Sequence, residues 1–272
     1  MPWVPRGLRD GIVTTRYPRR PDGYGPHYRA AITVTGGPSS PKASAPGGDR
    51  QLASLCPTRA ITVDGGEVRV DRGRCILCGR CVAERPELFA FDPGIDVAAV
   101  ERDSLIVPGL AVGADHDPDD DSVERARAEL ALRVRSLRRS VHIRHVDAGS
   151  DGAEEWEIAA LGNPVYDVQR LGVFFTASPR HADLLLVTGA GTAGMAGPLR
   201  RTWQAMPAPK IVIAAGTDAI SGGLAHPSYP TYGGIGTLLP VDVWVPGSPP
   251  SPFSLLNGIL IGVGMLDPRR QR

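Results

Sequence analysis

Beyond residue 140 the chain alternates between two hydrophobic patterns. Short runs of apolar, often β-branched residues recur at "VHIRHVD" (141–147), "GVFFTA" (172–177), "DLLLVTG" (183–189), "KIVIAAG" (210–216) and "VDVWVPG" (241–247). Several are nearly continuous in apolar residues and bounded by glycine or proline, which predicts strands buried on both faces of a parallel sheet. Between them "AGPLRRTWQAM" and, at the end, "SPFSLLNGILIGVGML" carry helical spacing. Strands alternating with helices in this way predict an open α/β sheet. No internal repeat of fixed period is visible.

The first half is less regular. Residues 36–50, "GGPSSPKASAPGGDR", are rich in Gly, Pro and Ser without periodicity and read as a flexible linker. "TRAITVDGGEVRVDRGR" reads as a hairpin with "GG" at its turn. An acidic loop, "GADHDPDDD" at 113–121, precedes "SVERARAELALRVRSLRRS", an amphipathic helix that Asp121 is placed to cap, with Glu124 three residues on. This marks a domain boundary.

Composition removes several classes of function. With 272 residues and 42% apolar content, the chain can fill one large core or two smaller ones. Lys and Arg number 30 against 29 Asp and Glu, so no overall field attracts nucleic acid. The N-terminal "MPWVPRGLRDGIVTTRYP" has no apolar run of signal-peptide length, and "SLLNGILIGVGML" is too short to cross a bilayer. A soluble, cytosolic chain without a direct transmembrane segment is expected.

All four cysteines, Cys56, Cys75, Cys78 and Cys81, fall within one short stretch. Without a secretion signal, and with enough residues for a core, a disulfide framework is a poor explanation. "CILCGRC" at 75–81 spaces three thiols as C-x-x-C-x-x-C, a run that wraps one corner of an iron–sulfur cubane and takes its last thiolate from a Cys-Pro elsewhere. Cys56-Pro57 supplies that partner once the hairpin returns the chain. The spacing expected of a second cluster instead meets Pro46, Asp49 and Leu52 upstream and Arg85-Pro86 downstream. One 4Fe-4S cluster is the expectation, and a four-cysteine zinc site is the alternative.

These motifs have known relatives. "RGLRDGIVTTRYPRRPDGYG", "CPTRAITV" and "VDRGRCILCGRC" together resemble the ferredoxin-type subunit of formate hydrogenlyase-like and complex I-like assemblies. From residue 141, "HIRHVDAGS", "NPVYDVQRLGV", "SPRHADLLLVTG", "PLRRTWQAMPAPKIVIAAG" and "LPVDVWVPGSPPSP" resemble the small subunit of group 4 nickel–iron hydrogenases and the 20 kDa subunit of complex I. The resemblance implies a fusion of two subunits, with a hydrogenase-like or complex I-like large subunit and membrane subunits as partners. It also implies a place on the inner face of the cell membrane, held there through those partners.

In the small-subunit family, cysteines for the cluster nearest the large subunit occupy loop positions that here carry Asp151, Glu154, Asp218 and Ser248, with a remaining position near Ile235. The loop "HVDAGSDGAEEWEIAALGNP" (145–164) thus has carboxylates where the resemblance places thiols. Strand-end loops of a parallel sheet converge at a crevice, so the four residues are expected to be neighbours. Carboxylates and a hydroxyl suit a hard cation better than an iron–sulfur cubane. They also suit a hydrated pocket or the Arg residues of a partner, because an unpaired buried carboxylate is costly.

Two other readings compete. "GAGTAG" (189–194) matches G-x-G-x-x-G after a strand, with Asp218 about 24 residues on, as a dinucleotide site requires, although "MAGP" delays the expected helix. A scaffold or assembly subunit that has lost its electron path is the other. His142, His145 and His181 read as packing or surface residues or have no derivable role, and Tyr229 and Tyr232 read as core or loop aromatics. The expected organisation is an extended arm and linker (1–50), a ferredoxin-like α+β unit (51–93), a linker with the amphipathic helix (94–140) and a flavodoxin-like α/β domain with a mostly parallel sheet (141–267).

Overall fold

The computed structural model describes residues 3–35, 48–64, 67–108, 122–134 and 140–266. In chain order its strands are β1 (Arg29–Val34), β2 (Ile61–Asp64), β3 (Glu67–Asp71), β4 (Phe89–Pro93), β5 (Ile106–Val107), β6 (Val141–Asp147), β7 (Val173–Phe175), β8 (Leu184–Thr188), β9 (Ile211–Ala215) and β10 (Val243–Val245). The helices are α1 (Trp3–Asp10), α2 (Gly48–Ser54), α3 (Arg80–Glu84), α4 (Ser122–Arg133), α5 (Ala153–Ala160), α6 (Ala193–Ala205), α7 (Thr217–Ser221) and α8 (Pro252–Gly262).

A five-stranded sheet in the order β10-β9-β8-β6-β7, parallel at every pairing, forms the larger unit. Every residue of β8 and β9 is buried because helices cover both faces. On one side α8 packs Phe253, Leu256 and Leu260 against Ile143, Leu184 and Ile211. On the other, Leu199 of α6 and Ile220 of α7 meet Leu185, Val187 and Val212. Ser251 caps α8 by accepting from the amide of Ser254 at 3.2 Å.

The smaller unit is antiparallel and separate. β2 and β3 pair from Ile61↔Val70 to Asp64↔Glu67, so the hairpin forms, although its Gly65-Gly66 turn lies outside the described residues. β5 extends this sheet, while β1 pairs with β4. Ile32, Leu52, Ile61, Val68, Val70, Leu88 and Phe89 form its core.

Several expectations need correction. The N-terminal stretch is not simply extended: it begins with α1, which tolerates Pro5 in its first turn, where a missing N–H costs nothing. Residues 29–34 of the expected arm form a strand of the smaller unit. The start of α6 is not delayed: the helix begins at Ala193 and runs through Pro198. Pro198 removes a hydrogen bond to the carbonyl of Gly194, which is exposed, so water can replace it. Helix α2 begins inside the expected linker; residues 36–47, the acidic loop 113–121 and Asp121 lie outside the described residues.

The units are tied at several points. Tyr17 is buried against the edge of Phe253, with its hydroxyl 3.0 Å from the Nδ2 of Asn257, which also donates to Asp96 at 2.9 Å. Ala99 forms an antiparallel bridge with Trp244 at the β10 edge.

Candidate functional site

The four cysteines line one apolar pocket with Ile32, Leu55, Ile61 and Val70. Cys56 follows α2, Cys75 and Cys78 lie on the turn from β3 into α3, and Cys81 is the second residue of α3. The turn requires unusual backbone at two positions. Leu77 has φ 54° and Gly79 φ 73°, and a Cβ on Gly79 would come within 2.9 Å of the Phe91 ring. Amides point at the sulfurs: Ala60 donates to the Sγ of Cys56 at 3.2 Å and Leu77 to that of Cys75 at 3.4 Å. Burial and the neighbouring thiols push the free thiol of Cys75 up to about 12, and burial raises that of Cys81 too. Among the described residues, no group of three or more His, Cys, Asp or Glu is arranged to hold a single metal ion. All four thiols share this one pocket.

This turn is seated on the larger unit. The hydroxyl of Thr217, at the start of α7, donates to the carbonyl of Cys75 at 2.9 Å. Gly73 passes so close to Ile220 that a Cβ there would come within 2.7 Å of its side chain. Arg102 clamps Asp71 with two hydrogen bonds, at 2.9 and 2.6 Å. Sequence reasoning missed Thr217; its only signal is its place after a strand, beside Asp218.

The loops after β6 and β9 bring Asp151, Glu154 and Asp218 together. Burial, then the charges of Asp218, Asp151 and Glu155, push Glu154 up to about 7, and burial with Asp151 raises Asp218. Ser248 is adjacent through its backbone, since Gly247 accepts from the amide of Thr217 at 2.7 Å, but its side chain is exposed and makes no hydrogen bond to the carboxylates. Ile235 is fully buried on the same edge of the sheet. A cavity of about 360 Å³ lies alongside, lined by Tyr28, Arg29, Leu77, Glu157, Tyr166 and the Pro246–Ser254 segment.

The histidines separate. His142 stacks on Phe174, as a packing residue does. His145 joins a polar set that the sequence did not reveal: its Nε2 lies 3.0 Å from the hydroxyl of Thr188, which donates to Glu155, and Ser150 donates to the other oxygen of Glu155 at 2.8 Å. Burial lowers the pKa of His145, so these bonds serve a neutral imidazole.

The glycine-rich loop offers no phosphate cradle. A Cβ on Gly189 would strike the backbone of Gly149 at 2.5 Å, and one on Gly191 the carbonyl of Gly234 at 2.8 Å. The amides of Thr192 and Ala193 already donate to Ala148 and Pro230. Gly189 and Gly191 serve contacts within the protein, and the Thr192 and Ala193 amides at the helix start are already engaged, which counts against a dinucleotide site.

Residues 152–261 match the family described as the NADH ubiquinone oxidoreductase 20 Kd subunit, and residues 68–132 match a 4Fe-4S single cluster domain. A probable membrane-bound hydrogenase subunit of Pyrococcus furiosus is 39% identical over 145 residues, 53% of this chain and 87% of that protein. The chain belongs to the family of the complex I 20 kDa subunit. Formate hydrogenlyase subunit 7 of Escherichia coli is 40% identical over 148 residues, 54% of this chain and 57% of that protein. An F(420)H(2) dehydrogenase subunit of Methanosarcina mazei is 44% identical over 104 residues, 38% of this chain and 56% of that protein. The chain thus spans little more than half the length of these last two relatives. Among solved structures, a chain of the membrane-bound sulfane sulfur reductase, an archaeal respiratory membrane complex, is 30% identical with a TM-score of 0.43, covering 50% of this chain and 78% of that one. The 20 kDa family match begins one residue after Asp151, and the single-cluster match leaves out Cys56.

Proposed function

We propose that this chain is an iron–sulfur electron-transfer subunit of a membrane-associated hydrogenase-like or complex I-like complex. It holds one 4Fe-4S cluster through Cys56, Cys75, Cys78 and Cys81 and retains a second, degenerate site at Asp151, Glu154, Asp218 and Ser248. The observation that carries this reading is an apolar pocket lined by all four cysteines, with amides directed at two of their sulfurs. That donor set fits soft, covalently held iron, and N–H···S bonds and solvent exposure are among the things that tune a cluster's potential. A bound cluster supplies a one-electron relay. Ile32, Leu55 and Val70 give the pocket its apolar lining, Cys78 stays exposed to solvent, and Thr217 fixes the ligand turn against α7.

The finer fold assignment belongs with this reading. Counted within its own sheet, the strand order is 2-1-3-4-5, the doubly wound order of flavodoxin. The β1–β4 and β2–β3 pairs around the thiol pocket support a ferredoxin-like unit, which reaches beyond the expected 51–93 to take in residues 29–34 and 106–107, with the α/β unit near 141–267. No helix among the described residues is long and apolar enough to cross a membrane. On this reading the chain attaches at the inner face through hydrogenase-like or complex I-like large and membrane subunits, which the likeness to a probable membrane-bound hydrogenase subunit supports.

The carboxylates at the degenerate site favour a second role, the shaping of an assembly, for that part of the molecule. Anaerobic purification followed by iron and sulfide counting tests the primary reading. About four of each per chain, as one cubane requires, is expected; zinc without sulfide would refute it, and iron-free protein within an intact complex would leave only the assembly role.

A further inference from the structure

The segment that returns from the smaller unit to the larger one carries an arginine into the thiol turn. Val97, Ala98 and Val100 of that segment are buried, and Ala99 exchanges backbone hydrogen bonds with Trp244 at 2.9 and 2.8 Å, so the larger unit holds it. Arg102 follows, and its side chain reaches Asp71 at the end of β3, donating from Nη1 to Oδ1 at 2.9 Å and from Nη2 to Oδ2 at 2.6 Å. A two-point fork of this kind is the strong form of a guanidinium–carboxylate pair. Both side chains are mostly buried, at 26% and 15% exposure.

Asp71 also shapes the start of the turn. Its Oδ1 accepts from the amide of Gly73 at 2.9 Å, its backbone carbonyl accepts from the amide of Arg74 at 3.0 Å, and the next amide, that of Cys75, donates to Arg72. Gly73 leaves room for the guanidinium to lie on the turn: a Cβ there would come within 2.8 Å of the Cζ of Arg102. Thr217, Ile220 and Arg102 all seat the turn on the larger unit, but of these contacts the one from Arg102 alone brings charge. The other arginines of the turn are placed differently. Arg72 is taken up by Asp92 at 2.8 Å, and Arg74, 3.4 Å from Asp71, is 47% exposed, so water screens it more.

A charge in this position bears on electron transfer. Reduction of a cluster held by the four thiolates adds one negative charge to the pocket, which a neighbouring carboxylate opposes and a guanidinium favours. We propose that Arg102 and Asp71 are the positioning pair of the iron–sulfur site: they fix the thiol turn on the larger unit, and their opposed charges set the reduction potential of the cluster bound there. This deepens the reading of the chain as an iron–sulfur subunit and rests on it. Deleting one charge moves the potential in a direction fixed by its sign, whereas a mere loosening of the turn moves it the same way in both variants.

The test is a reductive titration of the anaerobically purified full chain, with dithionite supplying the electron and the reduced cluster followed by electron paramagnetic resonance. Asp71→Asn keeps an oxygen for the Gly73 amide and deletes the negative charge. It is expected to favour the reduced form by about three- to tenfold at a fixed solution potential, a partly screened unit charge being removed. Arg102→Gln is expected to disfavour the reduced form by a similar factor; a tenfold change is about 59 mV for one electron. Arg102→Lys retains the charge without the planar fork and is expected to restore most of the wild-type potential. Shifts of the same sign in Asp71→Asn and Arg102→Gln, or wild-type potentials in both, overturn the pair's role while the cluster reading stands. If either variant fails to load iron, the other decides alone by the sign of its shift. A wild-type chain without iron and sulfide overturns the cluster reading itself, and the pair's role with it.

Discussion

Thr217 donates its hydroxyl to the carbonyl oxygen of Cys75 at 2.9 Å, so the first residue of α7 holds the thiol-bearing turn of the other unit. Thr217 is fully buried, and its neighbour in sequence is Asp218 of the degenerate site. Replacing the hydroxyl with a methyl leaves that carbonyl without its partner in a water-poor contact. Thr217→Val is therefore expected to lower stability by about 1–3 kcal/mol, read as an earlier thermal midpoint, with iron bound at the wild-type ratio.

Cys56 is separated from the other thiols by the whole hairpin and lies outside the matched single-cluster segment, yet it shares their pocket. Cys56→Ser is expected to deplete iron as severely as Cys75→Ser. Iron analysis of the two variants, prepared side by side without oxygen, decides the matter; a Cys56→Ser protein with full iron would remove that residue from the ligand set.

Glu154 gives the fold a pH dependence of definite sign. Its ionisation in the folded chain is raised to about 7 from the ordinary value of 4.5, so folding favours its protonated form. The associated stability is fully present below about pH 4.5 and is lost as pH rises through about 7, amounting to no more than about 3 kcal/mol. Asp218, also raised, acts in the same direction. Urea unfolding of the free chain between pH 5 and 8 is expected to show a shallower decline for Glu154→Gln than for wild type. Parallel profiles would contradict the burial of an uncompensated carboxylate.

Asn257 joins three distant parts of the chain, donating to Tyr17 at 3.0 Å and to Asp96 at 2.9 Å. Removing it leaves a phenol and a carboxyl, both raised in pKa chiefly by burial, without their shared donor. Asn257→Ala is expected to cost about 2 kcal/mol and to open the segment around Arg16, Arg19 and Arg20 to trypsin. Limited proteolysis at equal thermal stability margin separates that local opening from global loosening.

The parallel strands were legible because "LLLVT" and "IVIAA" are buried on both faces, which leaves a continuous apolar signature. The thiol turn was legible from spacing alone. Strand β1 was not: Arg29–Val34 pairs with Phe89–Pro93 across the linker, and nothing local to "RAAITV" announces a partner so distant. Pro198 misled for a different reason, since it disqualifies a helix by propensity while the exposed Gly194 carbonyl makes it tolerable. The convergence of Asp151, Glu154 and Asp218 was foreseen from strand-end topology, but the exposed, outlying side chain of Ser248 depends on loop geometry that spacing does not encode.

The route of the chain through its two units has a mechanical consequence. Residues 15–17 lie against the larger unit, β1 enters the smaller one, Ala99 returns to the β10 edge, and Thr217 reaches back to the thiol turn. A ferredoxin that is a free subunit can exchange between assemblies or swing between donor and acceptor. Stitched in this way, the thiol pocket is a fixture: its distance from the carboxylate edge is set when the chain folds, and electrons must be brought to it, because it does not travel to them.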